Sequence, residues 1–99
     1  MLTEKDYCNY EIAWKLCALG YPGTVRVLLY EAQKWLREDK HLHIEVRWYS
    51  NMWYEYEVKE AEGKILAEGT AFPTYEEALS TAVYMATEHL KENGKDYQV

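Results

Sequence analysis

Positive charge, cysteine, phenylalanine and long apolar runs are all scarce in this sequence of 99 residues. Eleven Lys and Arg stand against 17 Asp and Glu, a formal charge of −6, with three histidines left out of the count. A chain of that sign is repelled by phosphate backbones rather than drawn to them. Two cysteines, Cys8 and Cys17, are too few for the disulfide framework of a small secreted domain, so a reducing cytoplasm is the expected setting. No stretch approaches the roughly 18 apolar residues of a membrane span. The opening residues Met1-Leu2-Thr3-Glu4-Lys5 lack a signal peptide's apolar core. The only serines, Ser50 and Ser80, lie outside any Gly-x-Ser-x-Gly setting. The five glycines suit caps and turns, and none belongs to a phosphate-binding loop. Acid pairs such as Glu55/Glu57 and Glu76/Glu77 fall on wet faces, where nothing separates their proton affinities. No catalytic residue and no cofactor is expected.

What the chain has in excess is ring: ten Tyr and four Trp beside one Phe. A chain this short buries only about 60–65% of its unfolded surface, enough for one core. One domain over 1–99 is expected, with an N-terminal helix and turn (1–23), a core (24–92) and a tail (93–99). Charge divides unevenly along it. Residues 1–41 carry six acids and six bases, residues 42–72 six and three, and residues 73–99 five and two. The acidity lies in the second half.

Thr3 suits the N-cap of a first helix whose stripe is Cys8, Ile12, Leu16 and Leu19, closed by Gly20 at C′ and Pro22 beyond it. Thr24 is then expected to cap a second helix. Its apolar face is Val25, Leu28, Leu29, Ala32, Trp35 and Leu36, and Lys34, Arg37, Glu38 and Asp39 face water. From His41 the period becomes two. Leu42, Ile44, Val46 and Trp48 alternate with His43, Glu45, Arg47 and Tyr49, and a second strand alternates Tyr54, Tyr56 and Val58 with Trp53, Glu55, Glu57 and Lys59. A three-residue loop, Ser50-Asn51-Met52, pairs Trp48 with Tyr54, Val46 with Tyr56, Ile44 with Val58 and Arg47 with Glu55, keeping apolar opposite apolar. A third strand, 64–72, puts Ile65, Ala67 and Gly69 inward. Thr74-Tyr75-Glu76-Glu77 is a capping box for a last helix with the stripe Leu79, Ala82, Val83, Ala86 and Leu90, closed by Asn93-Gly94. The order α-α-β-β-β-α implies an α+β two-layer sandwich, a three-stranded antiparallel meander with helices on one face.

Two resemblances bear on this order. The α-β-β-β-α stretch over 28–92, with Gly63-Lys64-Ile65-Leu66-Ala67-Glu68-Gly69 as third strand and Thr74 to Ala78 opening the last helix, resembles the double-stranded-RNA-binding domain. That family aims lysines at phosphates from the start of its last helix. Here the matching positions hold Tyr75, Glu76 and Leu79, with Glu77 between, and the hairpin loop holds no cation. The resemblance therefore implies the fold without the RNA-binding surface. The segments Ala32-Gln33-Lys34-Trp35-Leu36-Arg37-Glu38, His43-Ile44-Glu45-Val46 and Thr74-Tyr75-Glu76-Glu77-Ala78-Leu79 resemble small uncharacterised proteins of gut Bacteroidetes phages and prophages. That likeness implies a bacterial or phage setting and transfers no activity.

His41 and His43 could present two imidazoles on one side of a strand, starting about 6.6 Å apart, and are the candidate metal ligands. Glu45, about 13 Å from His41, cannot complete that site. A solvated strand face that contains histidine is the plainer reading. Cys8 and Cys17, nine apart on one expected helix, point in different directions, and no cation is placed to activate either thiol. Trp35, Trp48, Tyr54 and Tyr56 are expected to fill the core. Tyr49, Met52 and Trp53 fall at the hairpin tip or on the outer face, in residue types enriched at interface hot spots. Trp14 and Tyr10 on the first helix leave the same choice between core and surface open. The expected function is a non-enzymatic protein-interaction module of phage or prophage origin that binds a partner protein or a second copy of itself. The alternative is a nucleic-acid-associated domain with altered surface.

Overall fold

A computed structural model describes residues 2–24, 26–50 and 53–94. The elements are a short 3-10 turn at Glu4–Asp6, α1 (Tyr10–Ala18), α2 (Leu29–Asp39), β1 (Leu42–Ser50), β2 (Trp53–Glu60), β3 (Ile65–Phe72) and α3 (Tyr75–Gly94). The sheet is an antiparallel meander in the order β1-β2-β3. The α+β order expected from the periodicities is the order observed.

The helices form in layers. α3 spans all three strands, α2 lies on β1, and α1 packs against α3. Beneath them Ile44, Tyr56 and Val58 from the sheet meet Leu29, Ala32 and Leu36 of α2 and Leu79, Ala82, Val83 and Ala86 of α3. Ile12, Ala13 and Leu16 of α1 extend this core. Tyr21 and Trp35 close its edge in a T-shaped contact with ring centroids 5.5 Å apart. At Gly20 the backbone takes φ +107°, and the N–H groups of Gly20 and Tyr21 reach back to Cys17 and Leu16 to end α1. On α3, the Thr74 hydroxyl accepts from the Glu77 N–H at 3.1 Å, which is the cap expected there.

Four local expectations are corrected. The first helix does not run on from Thr3: the Asp6 carboxylate takes the Thr3 N–H at 2.7 Å and closes one tight turn. Residues 7–9 are then extended, held by a bridge between Tyr7 and Leu28 and by the Cys8 N–H on the Val27 carbonyl at 2.7 Å. Asn9, not Thr3, caps α1, accepting from the Ile12 N–H at 2.9 Å. Cys8 is thus buried ahead of the helix rather than on its stripe. Thr24 accepts from the Arg26 N–H and holds a turn. α2 starts at Leu29, where Glu31 takes the Leu28 N–H at 3.2 Å, and Val25 lies outside the described residues.

The hairpin register is the one deduced: Trp48 pairs with Tyr54, Val46 with Tyr56, Ile44 with Val58 and Arg47 with Glu55. Ser50, however, pairs with Trp53, so it belongs to the strand and Tyr49 is an extra residue in a bulge. β3 carries two further irregularities. Ile65 pairs with Lys59 and is exposed instead of facing the core, while Leu66 packs inward. At the other end Ala71, at φ +69°, takes up one residue and returns Phe72 to the inner face opposite Tyr54.

Candidate interaction surface

Inner-face positions alternate correctly along β1, yet their burial falls off along the strand. Leu42 and Ile44 are buried, Val46 is half-buried, and Trp48, expected in the core, is 63% exposed. Element lengths explain the gradient. The Gln33 side-chain amide donates to the Ile44 carbonyl at 3.0 Å and fixes α2 over that point of β1. The link Lys40-His41 reverses the chain, so α2 runs back along β1 toward Trp48. Four residues separate Gln33 from the first helical residue, about 6 Å at helical rise. Four residues from Ile44 to Trp48 cover about 13 Å at strand rise. The strand outruns its helix by about 7 Å, and the ring overhangs.

The overhang joins other aromatic groups. Trp48 is cross-strand partner to Tyr54, Tyr54 to Phe72, and the Tyr54 ring meets Tyr75 of α3 edge-on at 6.0 Å. Beyond Tyr75 a hollow of about 120 Å³ is bounded by Leu2, Tyr30 and Tyr75, with the carboxylates of Asp6 and Glu76 beside them. Tyr30 and Tyr75 are 60% and 41% exposed. A strip of rings thus runs from the edge of the sheet to the start of α2. Sequence reasoning assigned Trp48 and Tyr54 to the core and passed over Tyr30, Tyr75 and Leu2. Comparing the reach of α2 with that of β1 is the signal that finds them.

Of the positions singled out earlier, Tyr49 sits in the bulge and Trp53 on the outer face, both exposed. Met52 lies outside the described residues. Trp14 and Tyr10 are exposed on α1. Beyond Trp53 the outer face is charged rather than aromatic. Arg47 reaches Glu55 at 2.7 Å, Glu45 at 3.0 Å and Glu57 at 3.4 Å, and Lys59 joins Glu45 at 2.9 Å and Glu57 at 3.2 Å. Hydrogen bonds from Lys59 hold the Glu45 carboxyl below its usual range, and those from Arg47 and Lys59 do the same for Glu57. This face is an ion-paired ladder in water, two cations shared among three carboxylates.

His41 and His43 are both exposed. Among the described residues no three His, Cys, Asp or Glu side chains converge as metal ligands would. Burial pushes the Cys8 thiol up to about 12, away from thiolate chemistry at neutral pH. Cys17 is half-buried, its Sγ 3.9 Å from the Thr24 carbonyl. No helix among the described residues is long and apolar enough to cross a membrane. Comparison of the chain with protein-family models, curated proteins and solved structures finds no match.

Proposed function

We propose that this chain is a non-enzymatic protein-interaction module, an accessory protein of a phage or prophage in the bacterial cytoplasm, and that its partner docks on the aromatic strip. The observation that carries the reading is Trp48, an inner-face ring left 63% exposed at a place where the core could have continued. Exposed aromatic groups that form a contiguous patch are the usual mark of an association surface. Trp48, Tyr54, Tyr75 and Tyr30 are contiguous, whereas Tyr10 and Trp14 stand on a separate helix.

Affinity capture from a bacterial lysate tests the reading when wild type is compared with Trp48→Thr, a variant that keeps strand propensity. A protein retained by wild type and lost by a folded Trp48→Thr chain supports docking at the strip. The same set retained by both overturns it. The order α2-β1-β2-β3-α3 favours a second reading, a nucleic-acid-associated domain of double-stranded-RNA-binding type with altered surface. Glu76 and Glu77 in the first turn of α3 oppose it, standing where phosphates would dock. Titration with duplex RNA at low salt separates the two, since binding tighter than about 100 μM would favour the second.

A further inference from the structure

The strip is apolar along its length but acidic at its end. Asp6 and Glu76 stand in the hollow with Leu2, Tyr30 and Tyr75. A second hollow, of about 320 Å³, shares Glu76 and adds Glu4, Glu77 and Lys5. Among the described residues the two hollows therefore hold four carboxylates and one lysine. Glu4 is already engaged by Arg26 at 2.6 Å, and the Asp6 and Glu77 carboxylates take hydrogen bonds from Thr3 and Thr74. Glu76 makes no ion pair among the described residues.

The rings show a related gap. Elsewhere the chain lays cations over aromatic faces: Arg26 over Tyr7 at 3.9 Å, Lys15 over Tyr84 at 5.1 Å and Lys40 over Trp35 at 5.4 Å. Among the described residues no such cation lies over Trp48, Tyr30 or Tyr75. Asp6 and Glu76, with no ion pair among the described residues, beside ring faces over which none of the described cations lies, are complementary to one kind of ligand.

We infer that the strip takes a cationic peptide segment, an arginine- or lysine-bearing stretch whose aliphatic side chains lie on Trp48 and Tyr75 and whose charge meets Glu76 and Asp6. The inference rests on the docking reading and adds to it the chemistry of the partner. A second copy of the chain is the poorer occupant. An isologous contact would set the strip against itself. Its lining among the described residues (Leu2, Tyr30, Tyr75, Leu79) brings no cation to Glu76 and Asp6, while two bodies of charge −6 are drawn together.

The test uses two labelled peptides, four repeats of Arg-Leu-Ser and the same peptide with Glu for Arg, titrated against the full chain by fluorescence anisotropy. The arginine peptide should bind and the glutamate peptide should not. Trp48→Thr should weaken the arginine peptide about 10-fold with its salt dependence unchanged. The double variant Asp6→Asn with Glu76→Gln should weaken it about 5-fold and flatten the salt dependence. If both peptides bind alike and Trp48→Thr weakens both, the cationic partner is overturned while docking on the strip survives. If the arginine peptide binds but ignores Trp48→Thr, docking on the strip falls and the inference with it. Failure of the arginine peptide to bind below about 1 mM overturns the inference alone. A doubled mass by light scattering, lost in Trp48→Thr, also overturns it, because the second copy would then be the occupant.

Discussion

Two stretches of one sheet face obey the same alternation and meet opposite fates. In the rows Ile44–Val58–Ala67 and Val46–Tyr56–Gly69 the inner face lies under helix and is largely buried. One row further along, Trp48–Tyr54–Phe72 occupies the same face in the same register, and its first member stands mostly in water. Nothing in the strand pattern distinguishes the rows. What differs is the layer above. Period two decides which face a residue joins, and the length of the opposing helix decides whether that face becomes core or surface.

The contrast breaks most visibly from its covered side. Leu36 is fully buried on α2, and Leu36→Ala should cost about 3 kcal/mol through lost transfer energy and a residual cavity. Urea melts measure it. A loss below about 1 kcal/mol would mean that the helix layer is loose even where it covers the sheet. Gly69 is a second test from the covered rows. A Cβ there would come within 2.6 Å of the Tyr56 ring and 3.2 Å of Phe72, and Tyr56 is buried. Glycine to alanine in a strand normally gains about 0.5–1 kcal/mol. Overpacking against a confined ring reverses the sign, so Gly69→Ala should destabilise by about 2 kcal/mol. A neutral or stabilising result would show that Tyr56 can shift toward the open row.

The strands and their register were legible because pairing apolar with apolar and Arg47 with Glu55 leaves one answer. The bulges were not. Whether Ile65 or Leu66 turns inward depends on one extra residue on β3, and both are equally apolar in sequence. The N-terminal segment misled because Thr3-Glu4-Lys5-Asp6 carries a genuine capping pattern. That pattern is satisfied within one 3-10 turn, and Asn9 then supplies the cap that α1 uses. For the aromatic strip, composition pointed to an excess of rings and to the hairpin end. It could not single out Trp48, whose exposure depends on where α2 begins. That start lies five residues beyond Thr24, at Leu29.

A smaller effect distinguishes the inner face from the charged outer one. Lys59 and Arg47 hold the Glu45 and Glu57 carboxyls below their ordinary value of 4.5. A carboxyl whose folded value is depressed contributes stability that is present above the unfolded value and lost as pH falls through the folded one. Thermal melts should therefore show a modest loss that begins near pH 4.5 and deepens below it. Screening in water keeps each exposed pair small. Arg47→Met should make that acid limb shallower while changing the neutral melting temperature little. An unchanged acid limb would mean that the ladder carries none of the pH dependence, leaving it to the Arg26–Glu4 and Lys15–Glu88 pairs.

The smallest expected change in stability is the one that most sharpens the comparison. Trp48 is the largest side chain on the inner face, and replacing a buried tryptophan costs about 3–5 kcal/mol. With most of its surface already in water, little transfer energy is lost when it goes, and threonine preserves strand propensity. Trp48→Thr should therefore fall within about 0.5 kcal/mol of wild type, the range of ordinary surface substitutions. A cost near that of Leu36→Ala would mean that the ring is covered in solution, either by α2, in which case the overhang does not exist, or by a second copy seated on it. A near-neutral result, set beside loss of binding in the same variant, would separate the two rows by role. The covered rows would hold the fold together, and the exposed end of the third row would retain its ring for contact with a partner.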